Sequence, residues 1–433
     1  MPDLGSLPGF RDFYPEDLEL RTRIFAAWRE ASRRFGFREY DGPPLEPLEL
    51  YTGKSGEEIV RQLYAFTDKG GREVALRPEM TPSFARMVAA RAGGLRKPIR
   101  WFSIPQLFRY ERTQRGRLRE HFQWNVDLVG ETDVGADAEV LAVALTGLSL
   151  LDLGADEVIA RVSDRRLLES ALRFHGVEGE GVAAAYGAID KLPREGADAT
   201  RDRLTEHAGL SRGAAEDLMG ALEAGDPGVL AAAAGGDEGA RQRAEDIGRY
   251  LDTLDAMGFG DRVDFDATIV RGLAYYTGIV FEVFDTAGEL RAVCGGGRYD
   301  RLLERLGGPD LPALGFGMGD VVLGELLAER AGEPADGAGV DDYLVIVSEG
   351  QRALAIRLAS ALRSEGRAVT YALRETGVGR QFKDANAAGA GRAIVLGPDE
   401  AADGVAVVKD MASGHEERVP LDRLMGSDAG RVL

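Results

Sequence analysis

Cysteine occurs once in the 433 residues, as Cys294, which excludes a disulfide within the chain and points to a reducing compartment. Histidine is almost as scarce: four residues, at 121, 175, 207 and 415, none spaced as a metal-ligand cluster, so no structural zinc is expected. Long apolar runs are missing too. The most apolar stretch, Val140 to Leu151, is too short and interrupted to cross a bilayer, and no membrane partner is expected. The N-terminal MPDLGSLPGFRDFYPEDLEL is charged and broken by prolines, without the apolar centre of a signal peptide, so a cytosolic protein is expected. A net charge of −19 and a pI near 4.8 argue, at first sight, against nucleic acid. Phosphate contacts act only within about 8 to 10 Å, so an acidic chain can still bind RNA where its arginines are gathered locally. Lysine is scarce and arginine carries nearly all the positive charge, which genomic composition or a salty habitat explains without any functional reading.

What is present suffices for real cores, with 44% hydrophobic residues and a length that calls for two or three domains. The most informative stretch is IRWFSIPQLFRYERTQRGRLREHFQWNVDLVG, Ile99 to Gly130. In its first arm Leu107 and Arg109 share one face, Phe108 and Tyr110 the other. In its second, Gln123, Asn125 and Asp127 alternate with Phe122, Trp124, Val126 and Leu128. Both arms read as strands with one oily and one polar face. Between them runs a loop with arginines at 112, 115, 117 and 119. A polar face carrying a cation, an amide and a carboxylate under a comb of cations suits a small zwitterion activated by a polyphosphate. Arginine-rich surface hairpins are also common without any such role.

Around this stretch, a helix is expected over Pro15 to Arg34, started by Pro15, Glu16 and Asp17 and stopped by Gly36. After a loop and short helix, LYAFTDKGGREVALRP reads as a hairpin turning at residues 68–71. It leads into RPEMTPSFARMVAA, where Thr81 is expected to cap a helix with Pro82 at its first position. Glu79 and Thr81 then stand at a strand-to-helix junction suited to an ammonium group, or serve only as caps. A buried helix over residues 135–151, a strand over 156–162 and a cap at Ser163 are expected next. Residues 164–258 read as a helical insertion in which Gly225 to Ala240 is loop-like. Strand character returns in IVRGLAYYTGIVFEVF, Ile269 to Phe284, and CGGGRYD, Cys294 to Asp300, follows a turn at 286–289. Three successive glycines in a strand cost backbone entropy; they fit a place where something flat lies against the backbone, or an ordinary bulge. A linker at 333–341 precedes alternating strands and helices, expected to form a small α/β domain around a mostly parallel sheet. No repeat of fixed period is present, which excludes a solenoid.

FRYER, RGRLRE and FQWNVDLVG together resemble motif 2 of class II aminoacyl-tRNA synthetases, and closely the histidyl family. RGLAYYTG at 271–278 resembles that family's RGLDYY element, CGGGRYD matches its second signature, and VGRQFKDANAAGAGRAIVLGPDE resembles its anticodon-binding domain. The resemblance implies an α+β fold: an antiparallel-sheet catalytic domain in two parts, 1–163 and 259–332, interrupted by the insertion at 164–258 and followed by an anticodon-binding α/β domain over 342–433. It implies L-histidine, ATP with Mg²⁺, and tRNA(His) as reactants and cofactor, and a homodimer through motif 1 over residues 45–80. By match, Arg109 holds the α-phosphate and the histidine carboxylate, and Arg271 approaches that phosphate from the other side. Glu111 sits near adenine, and Arg117 and Arg119 face the outer phosphates. Asp127 and Tyr276 read the imidazole, Tyr275 and Gln123 complete the pocket, and Glu79 and Thr81 take the ammonium. No resident metal ligand is assigned.

Two positions depart from the family pattern. Ala274 stands where many members have aspartate, a place that need not touch substrate. Val322 stands where class II synthetases usually carry an arginine that stacks on adenine. Valine cannot supply that cation, so another arginine covers the base, or ATP binds more weakly, or the chain is not an active ligase. Some bacterial and plastid-type members of the family share both departures. A second reading is the synthetase-like regulatory subunit of ATP phosphoribosyltransferase, which usually lacks the anticodon domain. The C-terminal α/β tail and the Glu79, Arg109, Gln123 and Arg271 set count against it.

Overall fold

The computed structural model describes residues 5–52, 60–270, 275–288, 290–330 and 339–425. The chain divides into two compact units, Met1–Arg330 and Ala331–Leu433. In the first, the strands in chain order are β1 (Arg38–Glu39), β2 (Leu45–Pro47), β3 (Tyr64–Thr67), β4 (Glu73–Leu76), β5 (Ile99–Ser103), β6 (Gln106–Phe108), β7 (Glu120–Val129), β8 (Val158–Asp164), β9 (Val263–Phe265), β10 (Ile279–Asp285), β11 (Cys294–Arg298) and β12 (Ala313–Gly319). Nine of them form one sheet in the order β1-β5-β7-β12-β11-β10-β8-β9, with β6 also paired to β7. Its centre is antiparallel; only the outer pairs β1–β5 and β8–β9 are parallel. The remaining three, β2-β4-β3, make a separate small sheet.

The period-two pattern of β7 decides which face is buried. Trp124, Val126 and Leu128 are fully buried against the helices Pro15–Arg34 and Val134–Ser149, with the Trp28 and Trp124 rings stacked 5.9 Å apart. Gln123, Asn125 and Asp127 point to the opposite face. Gly147 permits this packing, since a Cβ there would lie 2.6 Å from the Trp124 ring. The helix Pro15–Arg34 has the expected bounds, with acids in its first turn and Arg33 and Arg34 in its last, complementing the helix dipole.

Several local expectations move. The strand expected at 156–162 lies at Val158–Asp164, and Asp164, not Ser163, caps the helix Arg165–Phe174 by accepting from the Leu167 amide. A carboxylate accepts from a free helix amide at least as well as a hydroxyl, so the next acid takes the role. The stretch 225–240 is not wholly loop: Asp226 caps a short helix, Pro227–Ala233, whose Leu230 and Ala231 are buried among the helices of the insertion. Those helices run from Arg165–Phe174 to Glu238–Ala256 and carry their own core. Of the strand expected over 269–284, only the part from Ile279 is strand, and residues 271–274 lie outside the described set.

In the second unit β13 (Asp342–Ile346), β14 (Val369–Tyr371), β15 (Arg392–Leu396), β16 (Val405–Asp410) and β17 (Glu416–Pro420) form a sheet ordered β14-β13-β15-β16-β17. The sheet is mixed and not mostly parallel as expected, because β16 and β17 return as hairpins antiparallel to their neighbours. Buried Asp342 on β13 is neutralised by Arg392 at 2.7 Å and by Arg367. No helix among the described residues is long and apolar enough to cross a membrane.

Candidate active site

On the polar face of the large sheet lies a cleft of about 380 Å³, within the range of small-molecule sites. It is lined by Glu79, Thr81, Arg109, Glu111, Arg117, Gln123, Asp127, Tyr275 and Tyr276, so nine of the predicted residues converge from four distant segments. Arg271 lies outside the described residues, and its expected place is neither supported nor opposed by the geometry.

The junction after β4 is fixed by Arg77, a buried residue that the sequence reading passed over. Its guanidinium donates to Asp41 at 2.7 Å, to the Gly42 carbonyl at 2.7 Å and to the Gln106 carbonyl at 3.0 Å. Thr81 is the first residue of the helix Thr81–Arg91 and not its cap. Its hydroxyl is not used as a cap, and Thr81 lines the cleft together with Tyr275. Arg109, just past β6, is aimed by its Nε, which donates to the Pro78 carbonyl at 2.8 Å beside Glu79. The remaining guanidinium edge lines the cleft.

At the inner end, Asp127 is 6% exposed, and burial pushes its carboxyl up to about 7, partly offset by a hydrogen bond from the Tyr299 hydroxyl. Tyr275, Tyr276 and Tyr299 crowd this carboxylate, with the Tyr299 ring centre 5.8 Å from that of Tyr275 and 6.5 Å from that of Tyr276. The phenol that directly grips Asp127 is thus Tyr299, which lies inside CGGGRYD and not in the RGLAYYTG element. Close backbone approach explains glycine here. A Cβ on Gly315 would fall 2.8 Å from Asp127 Oδ1, and one on Gly317 2.9 Å from the Gln123 amide. The glycine run of β11 has a different reason from the one expected. A Cβ on Gly296 would meet the Gly315 carbonyl at 2.6 Å and the Phe281 ring at 2.7 Å, so the flat object against this backbone is largely the protein's own phenylalanine.

At the outer end the arginine loop is already paired. Arg117 Nη1 lies 3.0 Å from Glu111 Oε2, which leaves both in the cleft but engaged with each other. Arg115 pairs with Glu325 at 3.7 Å and with Glu329, and the Gly116 amide donates to Glu325 at 3.0 Å, docking the loop on the helix Asp320–Arg330. Arg119, expected at the outer phosphates, does not line the cleft: its Nε donates to the Glu111 carbonyl at 3.2 Å and its guanidinium lies 4.3 Å over the Tyr110 ring. His121, also on the cleft wall, was not singled out from the sequence; burial, followed by the charges of Arg109 and Arg11, pushes its imidazole down to about 3, so it is neutral. No group of three or more His, Cys, Asp or Glu side chains suited to a metal ion occurs among the described residues.

Most of the side chains expected from the family resemblance thus line one cleft. The histidyl-tRNA synthetase family model matches residues 9–319, and an anticodon-binding-domain model matches 342–427. The histidine–tRNA ligase of Opitutus terrae is 45% identical over 426 residues, covering 98% of each chain. The chain belongs to the histidyl-tRNA synthetase family. The fold agrees: a histidyl-tRNA synthetase from Nostoc superposes with a TM-score of 0.86 at 21% identity, covering 98% of each chain. A Bacillus halodurans protein described as an ATP phosphoribosyltransferase regulatory subunit/histidyl-tRNA synthetase superposes with a TM-score of 0.73 at 25% identity, over 88% of this chain and 96% of its own. The α+β class, with a large antiparallel-rich sheet and a separate C-terminal sheet domain, is that of the family.

Proposed function

We infer that this chain ligates L-histidine to tRNA(His), forming histidyl-adenylate from histidine and ATP and then transferring the histidyl group. The full-length identity to a histidine–tRNA ligase and the anticodon-binding domain favour this over the regulatory-subunit reading. The observation that carries the site assignment is the convergence of Glu79, Gln123, Asp127, Tyr275 and Tyr276 with Arg109 in one cleft.

In the first step a histidine carboxylate oxygen attacks the α-phosphorus, the bond to the bridging oxygen breaks, and diphosphate leaves. Two anions must meet, so positioning and positive charge are the chief catalytic needs. Arg109, anchored on the Pro78 carbonyl, supplies one guanidinium to the carboxylate and inner phosphate. Arg271 supplies the opposing one. Glu79 and Thr81 take the ammonium, and Asp127 with Tyr276 reads the two imidazole nitrogens. Tyr299 holds Asp127 in place for this. Glu111 and Arg117 part from each other to meet nucleotide, Arg117 toward the outer phosphates. Glu111 and Glu282, both on the cleft wall, are the carboxylates that would face a Mg²⁺ ion arriving with ATP, which would supply positive charge to the phosphates.

Dimerisation through residues 45–80 is supported by the exposed apolar side chains Leu45 and Phe66 on the small sheet, which a partner would cover. The cytosol is the compartment in which the buried single thiol and the tRNA substrate fit together. Arg271→Ala is expected to reduce adenylate formation by about a thousand-fold while leaving histidine binding measurable by calorimetry. Near-normal turnover in that variant would remove Arg271 from the mechanism. Aminoacylation with tRNA(His) tests the overall reading: histidyl-tRNA must form, whereas no charging together with stimulation of a short phosphoribosyltransferase would favour the regulatory subunit.

A further inference from the structure

Away from Asp127 the cleft wall gains apolar side chains, Leu118, Val293, Val321 and Val322, beside Glu111 and Arg117. The register of the sheet orders them: along β7, Asp127 pairs with Gly315 of β12 and Gln123 with Gly319, so the wall continues outward to Val321 and Val322. From β11 the chain before Cys294, which pairs with Met318, reaches the same end, bringing Arg291, Ala292 and Val293 onto the wall. The arginine loop closes it from above. A Cβ placed on Gly116 would meet Val322 Cγ2 at 3.3 Å and Arg291 Cδ at 3.9 Å, so loop tip, valine and arginine stem converge at one corner. Leu118, Val293, Val321 and Val322 give this corner apolar surface suited to an uncharged flat ring.

We propose that Arg291 lays its guanidinium on the adenine of ATP, supplying from the loop before β11 the cationic cover that Val322 cannot give. This rests on the reading of the cleft as a histidine and ATP site. A guanidinium stacks on a purine face through both its charge and its planarity. Arg117, the loop arginine on the cleft wall, is assigned to the outer phosphates, and neither Arg115 nor Arg119 lines the cleft. The neutral ring of His121 also lines the cleft.

The test is histidine-dependent ATP–pyrophosphate exchange by the full chain, with Arg291→Ala, Arg291→Lys and Arg291→Ala/Val322→Arg. Arg291→Ala is expected to raise the KM for ATP about tenfold with the KM for histidine within about twofold. Inhibition by adenosine should weaken in proportion while inhibition by tripolyphosphate stays unchanged. Lysine, lacking the plane, should recover less than half of the loss, and the added Val322→Arg substitution should restore most of it. An unchanged KM for ATP overturns the proposal. So does weakened tripolyphosphate inhibition with adenosine unaffected, which would make Arg291 a phosphate ligand, or a rise in both KM values with a lowered thermal midpoint, which would make it structural. A wild-type chain without histidine-dependent exchange would instead sink the reading of the whole cleft.

Discussion

Arg109→Ala is expected to lower histidine-dependent pyrophosphate exchange by about a thousand-fold, about 4 kcal/mol of lost transition-state stabilisation. The size follows from position. The side chain is oriented by the Pro78 carbonyl at 2.8 Å before any substrate arrives, so little reorganisation is needed when charge builds on the phosphoryl oxygens. Arg109→Lys should recover little, because an ammonium cannot hold the carbonyl through Nε and bridge two anions with the remaining edge. The split between constants checks the assignment. A group acting on the transition state lowers kcat strongly, whereas one that only holds histidine raises KM at constant kcat. Single-turnover formation of adenylate would separate the two, and a pure KM effect would reassign Arg109 to substrate binding.

Asp127→Asn is expected to raise the KM for histidine by at least a hundred-fold and yet make the ligand-free protein more stable. The loss follows from unpaired polar groups: an imidazole N–H meets an amide in place of a carboxylate, while Tyr276 and Tyr299 still demand partners. The stability gain follows from the carboxyl itself. Its value in the folded protein, about 7, lies above the ordinary 3.8, so the folded state holds the proton more tightly than the unfolded chain. Stability contributed by the protonated form is therefore present below about pH 4 and is lost as pH rises to about 7. Asparagine keeps an acceptor for Tyr299 and carries no charge to bury. At about pH 8 its thermal midpoint should exceed that of the wild type by a few degrees, from about 2 kcal/mol, and the two should converge near pH 4. An Asp127→Asn midpoint equal to wild type at both pH values would show that the carboxylate is not penalised by burial.

The two faces of the central hairpin were legible because period two leaves no freedom. Once Trp124, Val126 and Leu128 are committed to the core, Gln123, Asn125 and Asp127 must face the cleft. The ends of elements were less legible, since Ser163 and Asp164 are both good caps and only the strand's length chooses between them. Thr81 missed its role as a cap by one position, which leaves it on the cleft wall beside Tyr275. Arg119 was misplaced because a loop has no fixed period, so neighbouring arginines can turn to opposite sides. Tyr299 was invisible for a deeper reason. Its partner, Asp127, is brought to it only by pairing between β7, β12 and β11, which no local pattern encodes.

The most direct measurement is pyrophosphate exchange by the wild-type protein with ATP and each of the twenty amino acids in turn. A cleft that reads imidazole through Asp127 and Tyr276 and meets ATP through Arg109 should support exchange with histidine alone, at least a thousand-fold above any other amino acid. Exchange with a different amino acid, or none with histidine while ATP is bound, would contradict the account.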